Sequence, residues 1–304
     1  NLPDVMVSVQ FILAIGEKII IAFLGLILVV AASGLVAKKY VDQKAAKQER
    51  VVVTSNALAE IFAKLDINLV GVPKTKAALP KRYQNVAKVG SPMAPSLEKI
   101  AELNPSQVYA VSTLKSKYSA AFKKQAIPVT FLKLDSVGQL EASVKSLGNK
   151  YQKQKEANRF VQEIESAKSY AKKRQTKKKP KVLILMGVPG SGYMIMTAKS
   201  YIGSLVTLAG GENIYKSSKA YLTPSSDSLA QQNPDVILRL EHALPSVTLP
   251  QFKMEFKQNA FWSKMDAVKN KRVYDLQQPV FNASANVNAA KALRQVSQWL
   301  FPGK

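Results

Sequence analysis

The residue with the most specific potential chemistry in this chain is its single histidine, His242. It lies in the segment "DVILRLEHALPS", directly after an apolar run that predicts a buried strand. A histidine nitrogen can bind a metal ion or exchange a proton near neutral pH, although a lone histidine is more often an ordinary surface or core residue. Two interpretations are therefore open at this point. His242 has no special role, or it is one ligand of a pair whose other member lies far away in the sequence.

Two carboxylates occupy matching positions in two similar segments. The segments "SLEKIAELNPSQVYAV" and "SDSLAQQNPDVILRL" each predict a short helix, an Asn-Pro stop and a strand. Glu98 lies six residues before Asn104, and Asp227 lies six residues before Asn233. The two acids either stabilise helix amino termini by their charge or mark equivalent outer surfaces of two related lobes.

These side chains must be positioned by an α/β architecture, because strand-length apolar runs alternate with amphipathic helices. A first lobe is predicted over residues 51–135, and a second lobe, which opens with "KVLILMG", over residues 179–304. Residues 136–178 contain no proline and are rich in Lys, Glu and Gln. They predict one long linking helix, about 60 Å if unbroken. The predicted fold is two Rossmann-like lobes joined by one rigid helix.

The N-terminal residues predict attachment to a membrane. Residues 19–37 are uncharged and long enough to cross a bilayer as a helix, with an N-terminal segment over residues 1–18 and a polar linker over residues 38–50. Ser33 stands where a lipoprotein would have its lipidated cysteine, so we expect an uncleaved signal anchor, with cleavage near residues 31–33 as the alternative. Lysines flank the run on both sides and leave its orientation open. The expected location of the body is the outer face of the cytoplasmic membrane.

Composition excludes several classes of chemistry. The chain has no cysteine, which excludes disulfides, thiolate metal sites and cysteine nucleophiles. Its net charge of +24 suits nucleic acid, an anionic membrane face or an acidic cell-wall polymer. The basic run "KKRQTKKKPK" favours a solvated helix end over a nucleic-acid patch, because few aromatic residues lie nearby to stack bases. No nucleophile paired with a histidine is evident, so we expect a binding protein and not an enzyme.

Several long segments carry a family resemblance, from about residue 51 to the last predicted helix. They resemble the haem-receptor lipoproteins of the iron-regulated surface determinant systems of Gram-positive bacteria. That family belongs to the substrate-binding proteins of ABC importers that have a helical backbone. The segments are "LPKRYQNVAKVGSPMAPSLEKIAELNP", "KVLILMGVPGS", "SYIGSLVTLAGGENIY", "NPDVILRLEHALP", "EFKQNAFWSKMDAVKNKRVYDL" and "ANVNAAKA".

The resemblance implies haem as the ligand, with the iron of haem b held between the lobes. Met93 in "GSPMAP" and His242 in "ILRLEH" match the two axial ligands of the family. Thioether sulfur and imidazole nitrogen are a known axial pair for haem iron. Lys76, Lys81 and Arg82 are candidates for the haem propionates on charge alone. A tyrosine that the family has shortly before "LPKRY" is replaced around Lys76.

The resemblance also implies partners. It assigns Glu98 and Asp227 to contacts with arginines of an ABC importer permease, although the family usually has Glu at the second position. Cell-wall haem-relay proteins are possible upstream donors, and no nucleic-acid partner is expected. The alternative within this fold is a receptor for a ferric siderophore or cobalamin, which would need neither His242 nor Met93. A more distant alternative is a membrane-anchored nucleic-acid-binding protein, which would explain the charge.

Overall fold

The computed structural model describes residues 49–242 and 244–303, and the predicted anchor at residues 19–37 lies outside them. Within that described part of the chain, no helix is long and apolar enough to span a bilayer. The residues from Arg50 onward pack as one compact unit. This unit contains two α/β lobes, each built on its own sheet.

The first lobe contains a five-stranded sheet and a small hairpin. Its strands are β1 (Val51–Val53), β2 (Gly71–Val72), β3 (Ala87–Lys88), β4 (Gly90–Ser91), β5 (Ala94–Pro95), β6 (Gln107–Val111) and β7 (Val129–Leu132). Its helices are α1 (Asn56–Lys64), α2 (Leu97–Glu102) and α3 (Lys115–Lys124). The sheet order is β3-β2-β1-β6-β7, and all pairs are parallel. The strands β4 and β5 form an antiparallel hairpin beside it. All carboxyl ends of the five parallel strands therefore lie at one edge.

The linking segment consists of two helices, so the prediction of a single unbroken helix was wrong. The helices are α4 (Val137–Lys150) and α5 (Gln154–Arg174). Between them Gln152 has a φ of 55°, and the Lys153 N–H donates to the Gly148 carbonyl at 2.7 Å. This 6→1 bond is typical of a Schellman helix end, which allows the chain to reverse. The single connecting helix is α5, whose 21 residues span about 32 Å.

The second lobe contains a mixed six-stranded sheet. Its strands are β8 (Lys181–Val188), β9 (Gly192–Met196), β10 (Glu212–Asn213), β11 (Tyr221–Leu222), β12 (Val236–Leu240) and β13 (Val273–Leu276). Its helices are α6 (Tyr201–Leu208), α7 (Ser226–Ala230), α8 (Pro245–Gln258), α9 (Phe261–Lys264), α10 (Asp266–Lys269) and α11 (Ala289–Leu300). The order is β11-β9-β8-β12-β13, with β10 paired to β8. The glycine-rich segment after β8 is a turn into the antiparallel strand β9.

One continuous buried cluster runs through both lobes. It includes Phe62 of α1, Leu140 of α4, Ile164 of α5, Ile184 of β8 and Leu293 of α11. The buried positions of α5 recur at helical spacing, so this helix has an apolar face. That face packs into the buried cluster that the two lobes share. The lobes are therefore joined by packed side chains as well as by the chain itself, an arrangement that resists large relative motion.

Candidate functional site

Met93 lies in a hairpin turn at the carboxyl edge of the first sheet, between β4 and β5. The Lys74 N–H donates to the Gly90 carbonyl at 2.8 Å, which ties this hairpin to the segment that follows β2. The Tyr118 hydroxyl of α3 donates to the Met93 carbonyl at 3.2 Å. The Met93 side chain itself is 70% exposed. The backbone is therefore held while the thioether sulfur is free to contact a ligand.

His242 lies just beyond the carboxyl end of β12 in the second sheet. The backbone N–H of His242 donates to the Leu240 carbonyl at 3.0 Å, and the backbone carbonyl of His242 accepts from the Leu244 N–H at 2.8 Å. The side chain is half-buried, and this burial lowers the pKa of His242 below its ordinary value of 6.5. Desolvation disfavours the charged form, so the neutral imidazole, which has a free lone pair for a metal, predominates at neutral pH.

The strand that leads to His242 is fixed by a partly buried ion pair. The Arg239 guanidinium donates to both carboxylate oxygens of Asp275, at 2.8 and 3.0 Å. It also lies over the ring of Phe256 in α8, 4.7 Å from the ring centroid. A bidentate pair holds both partners in one geometry, which is more restrictive than a single hydrogen bond. The end of β12 is therefore held against both β13 and α8.

Glu241 is a buried carboxyl next to His242. One of its oxygens has no hydrogen-bond partner among the described residues. Burial raises the pKa of Glu241, and the neighbouring Asp275 carboxylate raises it further. Nothing in the local sequence distinguishes this glutamate from an exposed one, so its burial is information that only the structure provides.

Apolar side chains are exposed at Met93 itself and in the segment that follows His242. The large apolar side chains that are clearly exposed in the described chain are Met93, Leu244 at 42%, Val247 at 38% and Met254 at 58%. Leu244 and Val247 follow His242 within five residues. Grouped exposed apolar side chains mark binding surfaces more often than scattered ones do. The exposed Met93 side chain and the surroundings of His242 therefore suit a ligand with apolar faces.

The carboxyl edges of the two sheets are connected by a backbone hydrogen bond. The Ala285 N–H, in the segment that follows β13, donates to the carbonyl of Leu134, which follows β7, at 2.8 Å. In open α/β sheets, ligands bind outside the carboxyl ends of the strands. Met93 and His242 each lie at such an edge, one in each lobe.

Of the three basic residues proposed for propionates, Arg82 does not belong to the candidate site. Its guanidinium donates to Asp66 at 2.6 Å and to Asn68 at 2.8 Å, and both lie between α1 and the amino end of β2. Arg82 is therefore at the edge of the sheet opposite to Met93. Lys81 is its exposed neighbour. Lys76 is exposed in the loop that leaves the carboxyl end of β2, and is the best placed of the three.

Glu98 and Asp227 occupy identical positions in equivalent short helices. Each is the second residue after a serine cap: Ser96 accepts a hydrogen bond from the backbone of α2, and Ser225 accepts one from α7. Both carboxylates are exposed, and neither has an ion pair within the described residues. The internal similarity found in the sequence is thus present in the helices themselves.

Two α/β lobes, each with a candidate ligating side chain at the carboxyl edge of its sheet, define a substrate-binding protein. Comparison with known proteins gives the same class. Residues 51–280 match the periplasmic binding protein family, and the chain belongs to this family. The chain is 40% identical over 258 residues to the high-affinity heme uptake system protein IsdE of Staphylococcus aureus (strain Newman). This similarity covers 84% of the chain and 88% of that protein. The resemblance inferred from the sequence motifs is confirmed.

Two crystal structures have closely similar folds. The structure of S. aureus IsdE complexed with heme matches with a TM-score of 0.78 at 40% identity. An ABC transporter substrate-binding protein from Listeria monocytogenes EGD-e matches with a TM-score of 0.77 at 41% identity. Each match covers 84% of this chain and 99% of the other.

Proposed function

We propose that this protein is a cell-surface receptor that binds haem and delivers it to an ABC importer for iron acquisition. The observation that carries the proposal is the placement of Met93 and His242, one at the carboxyl edge of each sheet, with Met93 itself exposed and with exposed apolar side chains following His242. The similarity to a protein named for high-affinity heme uptake, and to its structure complexed with heme, supports the same ligand.

In this proposal, the Met93 sulfur and a His242 ring nitrogen bind the iron of haem b from opposite faces. The neutral imidazole favoured by burial is the form that can donate its lone pair. Leu244 and Val247 contact the apolar porphyrin, whose burial supplies most of the binding free energy. Lys76 is the candidate partner for a propionate. The function is binding and delivery, and no bond of the ligand is broken.

Delivery requires contacts with a permease. The free carboxylates of Glu98 and Asp227, one in each lobe, suit arginines on two permease subunits. The apolar segment at residues 19–37 would hold the receptor on the outer face of the membrane, and cell-wall haem-relay proteins are the proposed donors. These partner assignments rest on the family resemblance and on the symmetric placement of the two acids.

Absorption spectroscopy with haemin tests the ligand assignment. The wild-type protein should develop a Soret band, and Met93→Ala and His242→Ala should each shift or weaken it because one axial ligand is lost. Met254→Ala is the matched control, since Met254 is also an exposed methionine of comparable exposure. A wild-type spectrum in both ligand variants would contradict the assignment. Binding of a ferric siderophore or cobalamin, unchanged in both variants, would instead support the alternative receptor of this fold.

A further inference from the structure

A second concave site lies on the linking helix α5. It is a groove of about 620 Å³, a volume typical of small-molecule sites. Neither Met93 nor His242 lines it. Its walls are formed by the end of α1 from the first lobe and by the first turns of α11 from the second, with α5 between them.

Cationic side chains from three helices converge on this groove. They are Lys64 of α1, Arg159 of α5, and Lys291 and Arg294 of α11, with Glu163 as the one carboxylate. Among residues 49–242 and 244–303, none of these five side chains has an ion pair. The groove therefore has a formal charge of +3 that the protein leaves uncompensated. A concave surface of one charge sign concentrates ions of the opposite sign.

Arg294 is oriented in the groove by neutral groups. Its guanidinium donates to the Ser166 hydroxyl at 2.8 Å and lies over the Tyr170 ring, 4.8 Å from the ring centroid. These contacts restrict the side chain without neutralising it. A guanidinium held in this way loses less conformational entropy when it binds an oxyanion in a bidentate manner.

The amino end of α11 adds to the positive potential. Asn288 precedes this 12-residue helix but does not cap it, because its side-chain amide donates instead to the Pro279 carbonyl at 3.0 Å. The backbone N–H groups of Ala290 and Lys291 have no acceptor within the described part of the chain. Free N–H groups at a helix amino end favour an anion. They supplement the four cationic side chains, on which the site depends.

We propose that this groove binds an anion that carries two or more phosphate groups. A single carboxylate has two oxygens and could engage only one or two of the cations, whereas two or more phosphate groups supply acceptors for more of them. The bound anion would join Lys64 of the first lobe to Lys291 of the second, alongside α5. The proposal does not rest on haem binding, because neither Met93 nor His242 lines the groove.

Calorimetric titration with inorganic tripolyphosphate at fixed ionic strength tests the proposal. The double variant Arg159→Gln/Lys291→Gln should bind at least about tenfold more weakly, because two charge-assisted contacts are lost. The matched control is Lys172→Gln/Lys173→Gln, which removes the same charge from exposed positions of α5 outside the groove. The control should change the Kd by less than about twofold, since it alters only the long-range field. Thermal unfolding without ligand checks that both variants are folded.

The source of the phosphate groups is identified by a second titration. Phosphatidylcholine vesicles with and without cardiolipin, whose headgroup has two phosphates, are sedimented with each variant. If Arg159→Gln/Lys291→Gln loses cardiolipin-dependent sedimentation and the control variant does not, the bound phosphate groups belong to a lipid headgroup. If Arg159→Gln/Lys291→Gln loses tripolyphosphate binding but sediments with the vesicles as the control variant does, the bound phosphate groups belong to a soluble anion. Equal weakening in both variants in both titrations, or no binding of either probe, would overturn the site.

Discussion

Met93 and His242 are held by different means, and this difference affects how each contributes to binding. His242 extends from a strand end that the Arg239–Asp275 pair fixes, and its ring is half-buried before any ligand arrives. Met93 has an exposed side chain, and its carbonyl is held by the Tyr118 hydroxyl. His242 is therefore preorganised for ligand binding, whereas the position of the Met93 side chain depends on the position of its hairpin.

Tyr118→Phe tests this dependence on the hairpin. The variant retains the ring but removes the donor to the Met93 carbonyl, and one such hydrogen bond contributes about 1 kcal/mol, or about fivefold in Kd. We expect haem affinity to fall by about that factor, with a spectral shift toward that of Met93→Ala. Tyr170→Phe, which alters a tyrosine on α5, is the control for general effects of hydroxyl removal. Unchanged affinity and spectrum in Tyr118→Phe would show that the hydrogen bond does not position Met93.

The residues of the candidate site were only partly predictable from sequence. Met93 and His242 lie within long motifs, and the structure places each at the expected element boundary. Tyr118 was not predictable, because it meets Met93 across 25 residues of chain and its helix has no motif. Arg82 was wrongly included because charge alone does not indicate the edge of a sheet at which a side chain lies.

At the scale of secondary-structure elements, the reversal between α4 and α5 is the main feature that periodicity missed. The apolar positions of both helices continue at helical spacing, so the pattern alone does not show the break. The break depends on Gln152, which adopts a left-handed conformation, and on close packing at Gly148. The lobes, their strands and the five serine helix caps follow from local patterns, whereas this turn depends on tertiary contact.

Two glycines of α4 give opposite predictions. A Cβ at Gly148 would lie 2.5 Å from the Ala157 Cβ of α5, so Gly148→Ala should destabilise the protein by about 1–3 kcal/mol. Gly138 is exposed, with its nearest neighbour 4.0 Å from such a Cβ, so Gly138→Ala should stabilise it by about 0.5–1 kcal/mol. Urea unfolding of both variants measures the difference. Equal effects would contradict the packing at the reversal.

Asp66 connects the end of α1 to the start of α5 and gives a pH-dependent prediction. Hydrogen bonds from Lys153 and then from Arg82 lower the pKa of Asp66 below its ordinary value of 3.8. The contribution of the ionised Asp66 carboxylate to folding stability is therefore present at pH values above its ordinary pKa. It is lost as the pH falls through the lower pKa that the group has in the folded protein. Asp66→Asn should be less stable than wild type at about pH 7, and this difference should shrink as the pH falls below the ordinary pKa of the carboxyl group, measured by urea unfolding. A stability difference that stays constant as the pH falls would contradict this role of the Asp66 carboxylate.

At the scale of the whole molecule, the continuous core and α5 set the separation of the two lobes. Glu98 and Asp227 occupy the same helix position in each lobe, so a fixed separation of the lobes gives a fixed separation of the two carboxylates. The remainder of the surface is strongly basic, since the chain carries a net charge of +24. Two acids at matching positions of the two lobes can orient the molecule on a partner that presents arginines, because the predominantly basic surface repels that partner elsewhere.

Glu98→Ala and Asp227→Ala should therefore leave the haem spectrum and affinity unchanged and slow haem uptake through the importer. Glu98→Ala should be the more damaging, because the Asp227 side chain is one methylene shorter and forms the weaker contact. The double variant should slow uptake on the order of tenfold, mainly through slower association. Added salt should slow wild-type uptake toward the rate of the double variant, because exposed charges are screened. Glu102→Ala, which removes another exposed acid from α2, is the control. If the double variant transports haem at the normal rate, or if either single change alters the Soret band, the two acids serve only to stabilise their own helices.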